Sequence, residues 1–432
     1  MLIVSIVMAT QRTLSEWVEY IQTLHHRQID LSLDRVASVL QRIAPAVLPF
    51  KVVAIAGTNG KGSTAEILAS IYRAGGYRVG KYTSPHLVIF NERINIDGCS
   101  VSDAGLLASF ERIESKRAGV PITFFEFTTL VALDLFLHAD LDIVVLEVGL
   151  GGRMDAVNII DSDVAVITNV SLDHMAWLGD TVDQISIEKS GIARANKPCL
   201  VGMSSPPSSL IGACQDAAAE LEIIGREFHY VDCRDEWAFV SDTEKMSGLP
   251  LPFGQNGVQL NNAALAVRVS QKLRSNLPLT HESIRLGIST AQLLGRCQVL
   301  QYDPLIILDV AHNEASLARL ATFVRNHSVK RNTIAVCGLL KDKAIVNSLR
   351  HIEPFINHWH LASIDDERGS SADDLSLILQ QELGVARQSL DCHGDANAAY
   401  AQALQTLTAG DCVVVFGSFF IVGDILATLN NE

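Results

Sequence analysis

The sequence predicts an α/β protein built as two units, and three observations carry that expectation. Apolar runs rich in Val, Ile and Leu recur along the chain, each followed by an amphipathic stretch. Near-continuous runs of this kind are what parallel strands need when both of their faces are covered. The chain is 432 residues long, beyond the size at which one hydrophobic core usually stops growing. Finally, a strand–helix alternation begins afresh at Leu300, after a long helical stretch.

Taken in order, Lys51–Ala56 reads as the first buried strand and runs into a glycine-rich turn. Asp142–Val148 and Asp163–Thr168 are the next two; Leu305–Val310, Asn332–Gly338 and Cys412–Gly417 follow. Met203–Ser209, with Pro206 and Pro207 among serines, reads as a loop, and Ala263–Leu294 as helical. The division is expected just before Gly295 and Arg296, giving units of residues 1–294 and 295–432. The opening run Leu2–Ala9 is apolar but lacks a basic n-region. It also falls short of the roughly 20 residues that span a bilayer. We read it as an extra leader, with Met8 an alternative start, and no other stretch as able to cross a membrane.

Composition narrows the function. With 48% hydrophobic and 19% charged residues the chain falls among ordinary globular enzymes. A net charge of −14 argues against wrapping nucleic acid or coating an anionic membrane, since phosphates are repelled. It does not argue against a phosphate ligand held locally by backbone amides. The eight cysteines contain no Cys-x-x-Cys pair, so neither a zinc knuckle nor a redox dithiol is suggested. Free thiols in a reducing cytosol are expected, and the chain is expected to be cytoplasmic and, separately, a monomer.

The strongest local signal is Gly57-Thr58-Asn59-Gly60-Lys61-Gly62-Ser63-Thr64. A junction from strand through glycine turn to helix aims backbone N–H groups and a helix N-terminus at one point, which suits a polyphosphate. Lys61 is placed to reach β/γ-phosphates and Ser63 to hold magnesium. The spacing is not the common Walker A: Ile55 stands five residues before Gly60, and Gly62 separates Lys61 from the hydroxyl. A GTPase base reader is missing, because Asn196-Lys197-Pro198-Cys199 lacks the aspartate. The plainer alternative is a glycine turn that merely joins two elements.

Further landmarks follow that loop: Thr83-Ser84-Pro85-His86-Leu87, Phe124-Phe125-Glu126-Phe127-Thr128, Glu147-Val148-Gly149-Leu150-Gly151-Gly152-Arg153, Asp173-His174, Glu188-Lys189-Ser190-Gly191-Ile192, Asp309-Val310-Ala311-His312-Asn313 and Gly417-Ser418-Phe419. In this order, spread over nearly the whole chain, they resemble the folylpolyglutamate synthase/dihydrofolate synthase family, a branch of the Mur ligase superfamily. The resemblance implies a P-loop-type ATP-binding domain with a mainly parallel sheet and a smaller Rossmann-like C-terminal domain for glutamate ligation. It implies ATP as substrate and Mg²⁺ at two sites, with Ser84 and Glu147 at one and His174 at the other.

Residue by residue, the resemblance puts Thr58, Asn59, Gly60, Lys61, Gly62, Ser63, Asn262, Arg296 and Asp309 on ATP. Lys189 matches a lysine that relatives carbamylate, turning an ammonium into an anion. Burial would lower its pKa and favour reaction with carbon dioxide. His312 and Ser418 fall near the incoming amino acid. Asp30, Leu31 and Ser32, Thr123, Phe124, Phe125 and Glu126, and Met154, Asp155 and Ala156 fall where bifunctional relatives bind dihydropteroate. Phe124 and Phe125 have rings able to stack on a flat pterin, although aromatics in such a run more often form core. Ser32 stands where some relatives carry glycine, and Met154 where some carry leucine.

The reaction implied is an acyl-phosphate ligation of L-glutamate to dihydropteroate or to the tail of tetrahydrofolate. Lys61, Lys189, His174 and Arg296 are its catalytic residues, and closure about Leu294–Cys297 excludes water. No side-chain nucleophile is required. Two other readings stay open on sequence: a ligase acting on a peptidoglycan precursor, and a nucleotide-gated binding module.

Overall fold

The computed structural model describes residues 12–27, 29–254, 258–327, 332–341 and 343–430. The opening run and Met8 lie outside these. Eight strands form the larger sheet: β1 (Lys51–Ala56), β2 (Val79–Tyr82), β3 (Ile94–Ile96), β4 (Cys99–Ser100), β5 (Ile143–Glu147), β6 (Val164–Ile167), β7 (Pro198–Val201) and β8 (Glu220–Ile223). Their spatial order is β4-β3-β2-β5-β1-β6-β7-β8. Pairing is parallel from β2 to β8, and β3 and β4 add an antiparallel edge.

β1 shows why the apolar runs behave as expected. Val52, Ala54 and Ala56 point into one core, while Val53 and Ile55 point into the other. With a side-chain period of two, a strand buried on both faces must be apolar at every position. The first core is sealed by the helix Leu14–Thr23, whose Trp17 meets Phe110 and Phe127 at 5.6 and 6.5 Å between ring centroids. The second core takes the helices Lys61–Ala74, Val258–Lys272 and His281–Thr290.

A small antiparallel sheet lies beside that second core: β9 (Phe228–Asp232), β10 (Glu236–Ser241) and β11 (Lys245–Pro250), ordered β11-β10-β9. The stretch expected to be helical over Ala263–Leu294 is two helices. The second starts at a Thr280 cap that accepts from Ser283 N at 3.1 Å, two residues after Pro278. The loop expected over Met203–Ser209 gives way to the helix Ser208–Asp216.

The C-terminal sheet contains β12 (Gln298–Tyr302), β13 (Leu305–Asp309), β14 (Thr333–Cys337), β15 (His358–Ala362), β16 (Leu390–His393) and β17 (Cys412–Phe416). Its order is β12-β13-β17-β14-β15-β16, parallel except for β12. Helices cover both of its faces around two further cores. All eight cysteines are free. No helix among the described residues is long and apolar enough to cross a membrane.

Candidate active site

Ligands of open α/β sheets gather beyond the carboxyl ends of the strands, where the strand order reverses. In the larger sheet that point is β1, flanked by β5 and β6. The loop leaving β1, Glu147 at the end of β5 and the segment after β6 meet there. From the other sheet, Asp309 ends β13 and Ser418 follows β17. Both sheets therefore aim their carboxyl ends at one cavity of about 520 Å³. Its walls include Thr58, Asn59, Gly60, Lys61, Gly62, Ser63, Ser84, Glu147, His174, Lys189, Arg296, Asp309, His312 and Ser418.

The loop is held from beneath by the segment after β6. Asn169 O accepts from Thr58 N at 2.9 Å, and Asn169 Oδ1 from Asn59 N at 3.0 Å. Thr168 Oγ1 donates to Asn59 O at 2.6 Å. Gly60, at φ +85°, is in the left-handed region, and a Cβ there would stand 2.6 Å from Asn262 Oδ1. Only glycine meets both constraints. Asn262 itself is buried in the helix Val258–Lys272 and donates to Gln259 Oε1. Lys61 Nζ lies over the loop, donating to Gly57 O at 3.0 Å and Thr58 O at 3.3 Å.

Glu147 is buried, and burial pushes its carboxyl up, against the opposing pull of Lys61, the Ser84 N–H, Arg296 and Lys81. Its Oε2 accepts from Ser84 N at 3.3 Å. A Cβ on Gly62 would come within 3.4 Å of the same oxygen, so Gly62 keeps the carboxylate face clear. A buried acid with one long hydrogen bond calls for a cation, and the hydroxyls of Ser63 and Ser84 beside it are hard oxygen donors of the sort Mg²⁺ takes. The residues fit the group.

His174 and Lys189 form the next layer. Burial, Lys343, Lys61 and His312 take His174 down to about 4 despite Asp173, so its imidazole is neutral and free to ligate. Lys189 is 4% exposed, and burial followed by the Lys61 charge lowers it to about 7. Near neutral pH a large share of this amine is therefore uncharged. Arg296 is half-buried with its guanidinium 5.1 Å over the Phe419 ring; desolvation and Arg319 lower its pKa, against Asp309 and Glu147. Asp309 accepts from Cys297 N and Ala311 N, both at 2.7 Å, and so ties the turn at Gly295–Cys297 to the end of β13. Burial brings His312 to about 4, and its Nδ1 donates to Val310 O at 2.8 Å, which leaves Nε2 an acceptor. Ser418 caps the helix Phe419–Leu429 through Ile421 N.

The residues expected on the acceptor side form a group apart from this cavity wall. Thr123 and Glu126 make a capping box for the helix Phe124–Leu137, with Glu126 N to Thr123 Oγ1 at 3.2 Å and Thr123 N to Glu126 Oε2 at 2.7 Å. The outer oxygen of Glu126 meets Arg35 at 3.1 Å, and Arg35 meets Asp30 at 3.1 Å. Leu31 and Ser32 are half-buried in the same segment. Phe124 packs edge-on against Phe90, 6.1 Å away, and Phe125 lies 6.0 Å from Tyr82 and against Gly149. Asp155 is buried, accepting from Leu150 N and Val157 N at 2.8 and 2.9 Å, between half-buried Met154 and buried Ala156.

Several groups that the sequence reading did not assign also belong to the site. Asp173 takes Lys343 Nζ at 2.7 Å and Asn313 Nδ2 at 3.1 Å, both from the C-terminal unit. Burial opposes its ionisation, but His174, Lys343 and His312 together hold it well below the usual carboxylate range. Arg93 lines the cavity with its guanidinium 5.4 Å over Phe124 and its Nε 2.8 Å from His86 Nδ1. Asp173 and Asn313 had a signal, as neighbours of assigned histidines in motifs. Arg93 and Lys343 had none, being single cations at the end of a short 3-10 turn and in a loop.

A strand–glycine-turn–helix phosphate site facing a second parallel sheet, with acid, imidazole and buried lysine between them, defines an ATP-using ligase of the Mur type. The Mur ligase middle domain matches residues 55–202, and the Mur ligase, glutamate ligase domain matches residues 295–419. The Escherichia coli dihydrofolate synthase/folylpolyglutamate synthase is 40% identical over 96% of both chains. A structure of E. coli FolC in complex with DHPP and ADP has a TM-score of 0.91 at 38% identity, covering 97% of this chain and 98% of that one. The bifunctional folylpolyglutamate synthase/dihydrofolate synthase of Yersinia pestis, complexed with AMPPNP and Mn ion, has a TM-score of 0.89 at 39% identity with the same coverage. This chain belongs to the dihydrofolate synthase/folylpolyglutamate synthase family.

Proposed function

We infer that the chain joins L-glutamate to dihydropteroate, and to the glutamate tail of tetrahydrofolate, at the expense of ATP and through an acyl phosphate. One observation carries the reading: the phosphate loop, the Glu147–His174–Lys189 group and the His312–Ser418 pair share one cavity, fed by both sheets. Residues 1–294 make the ATP- and pterin-binding unit in this reading and residues 295–432 the glutamate-ligase unit. The reaction is cytoplasmic.

The loop N–H groups and the N-terminus of the helix Lys61–Ala74 cradle the triphosphate, with Lys61 moving from its loop carbonyls to the β/γ-phosphates. Mg²⁺, held by Glu147 and Ser84 and at a second site by His174, supplies charge neutralisation at the phosphate oxygens. The acceptor's carboxylate attacks the γ-phosphorus, and ADP leaves. Arg296, half-buried and backed by Phe419, balances charge on the transferring phosphoryl group. The neutral amine of glutamate then attacks the acyl carbon and phosphate departs. His312 Nε2, an acceptor because Nδ1 is committed to Val310 O, is suited to take the proton that the amine sheds. Arg93, above the Phe124 ring, suits the acceptor's carboxylate as it enters from the Phe124–Phe125 side. Product mass after incubation with ATP, glutamate and either dihydropteroate or tetrahydrofolate tests the reading. A gain of one glutamate residue on each is expected; no product with either removes the function.

Lys189 is a carbamate in this reading. Its neutral amine adds to carbon dioxide and loses a proton, giving an anion beside the second metal site. Lys189→Ala should lower turnover by about 10- to 100-fold, with partial rescue by a small carboxylate. A fully active alanine variant would remove the modification from the mechanism.

A further inference from the structure

Outside the active site, β15 and β16 bring four metal-ligating side chains onto one face of the C-terminal sheet. Trp359 and Leu361 of β15 point into one core. By the two-residue period His358 and His360 therefore point to the opposite face. In the register of the pair, His360 sits opposite Asp391 and Ala362 opposite His393. The side chains converge: His358 Nε2 lies 2.8 Å from Asp391 Oδ2, His360 Nδ1 lies 3.9 Å from the same oxygen, and His393 Nε2 lies 3.0 Å from His360 Nδ1. One ligand atom from each of His358, His360 and Asp391 falls within 4.8 Å of the other two.

We propose that His358, His360 and Asp391, with His393 beside His360, form a binding site for Zn²⁺ or a divalent metal of similar softness, clasping the edge strand β16 to β15. Two imidazoles and a carboxylate, with the fourth position open to water or to His393, are donors that Zn²⁺ takes in four-coordinate sites. Ligand lengths of about 2.0–2.1 Å put tetrahedral donors roughly 3.3 Å apart, and within the group His358, His360 and Asp391 the separations of 2.8 and 3.9 Å bracket that spacing. His360 is 1% exposed and its Nε2 has no hydrogen-bond partner, so the ring makes its polar contacts only through the edge facing the cluster. Asp391 is exposed, and His358 and His393 are half-buried, so a metal reaches the donors from solvent. None of the four lines the active-site cavity. The site is distinct in chemistry as well, since imidazole-rich donors favour zinc where the oxygen donors around Glu147 favour magnesium.

The test uses tag-free full-length protein, stripped by a chelator and titrated calorimetrically with Zn²⁺ in the presence of excess Mg²⁺ and ADP, which occupy the catalytic centre. One equivalent of Zn²⁺ should bind, and His358→Ala/His393→Ala should weaken it by about tenfold or more. Co²⁺ in place of Zn²⁺ should give the visible bands of a tetrahedral site in the parent protein and not in the variant. Ligase turnover of the double variant reports that it is folded. Should it fail to fold, Asp391→Asn, at an exposed position, carries the same expectation. Absence of Zn²⁺ binding under these conditions, or equal affinity in the variants, overturns the site.

Discussion

At the scale of single residues, Asp155 separates what a residue type announces from what its surroundings make of it. An aspartate in a glycine-rich segment after a strand reads as a ligand for substrate, and in the fold each of its oxygens already accepts an N–H, from Leu150 and from Val157. Burial raises its pKa to about 6, only partly offset by those hydrogen bonds. The folded state therefore holds a proton that the unfolded chain, with an ordinary value of 3.8, gives up sooner. Between pH 4 and pH 6 the native form binds more protons, so this group's contribution to stability falls as pH rises through that window. Asp155→Asn should remove that dependence. The difference in Tm between variant and parent should grow in the variant's favour from pH 4 to pH 6.5 and be flat above it. A constant difference across that range would show that Asp155 is ionised throughout. No sequence pattern announces such a shift, because it arises from neighbours that only the fold brings together.

At the scale of elements, the legible parts were those whose chemistry is local. β1, β5, β6, β13, β14 and β17 are buried on both faces, so each had to be a continuous apolar run, and each was expected within a residue or two of its bounds. β3, β4, β9 and β16 are short or lie at sheet edges; they carry polar residues and no such signature. The phosphate loop was legible for the same reason, as glycine is required where φ is +85° and an asparagine stands behind it. The acceptor segment was harder, since Thr123 and Glu126 satisfy a helix terminus while also bordering the aromatic cluster. Losing an N-cap hydroxyl costs about 1 kcal/mol. Thr123→Ala should lower stability by about that amount, measured by urea unfolding. Any larger fall in turnover than this explains would mean that the hydroxyl also touches the acceptor.

At the scale of the whole molecule, the units are joined at the site by a contact that sequence could not reveal, because its partners lie 170 residues apart. Lys343 and Asp173 are nearly buried, 2.7 Å apart, and Asn313 adds a second hydrogen bond to the same carboxylate while also pairing with Asn59 of the phosphate loop. Removing one member of a buried pair leaves the other charged and desolvated, a cost of about 3–5 kcal/mol in comparable cases. Asp173 retains Asn313 and two histidines, so the cost here falls on the joint between units rather than on either core. Lys343→Met should therefore leave each unit folded but let water reach the acyl phosphate, raising ATP hydrolysis relative to amide formation. Asp173→Asn should do the same, and the double variant should be no worse than the poorer single one. The measurement is the ratio of phosphate released to glutamate incorporated across the four proteins. Two independent contributions that simply add would break the link drawn between this pair and closure of the site.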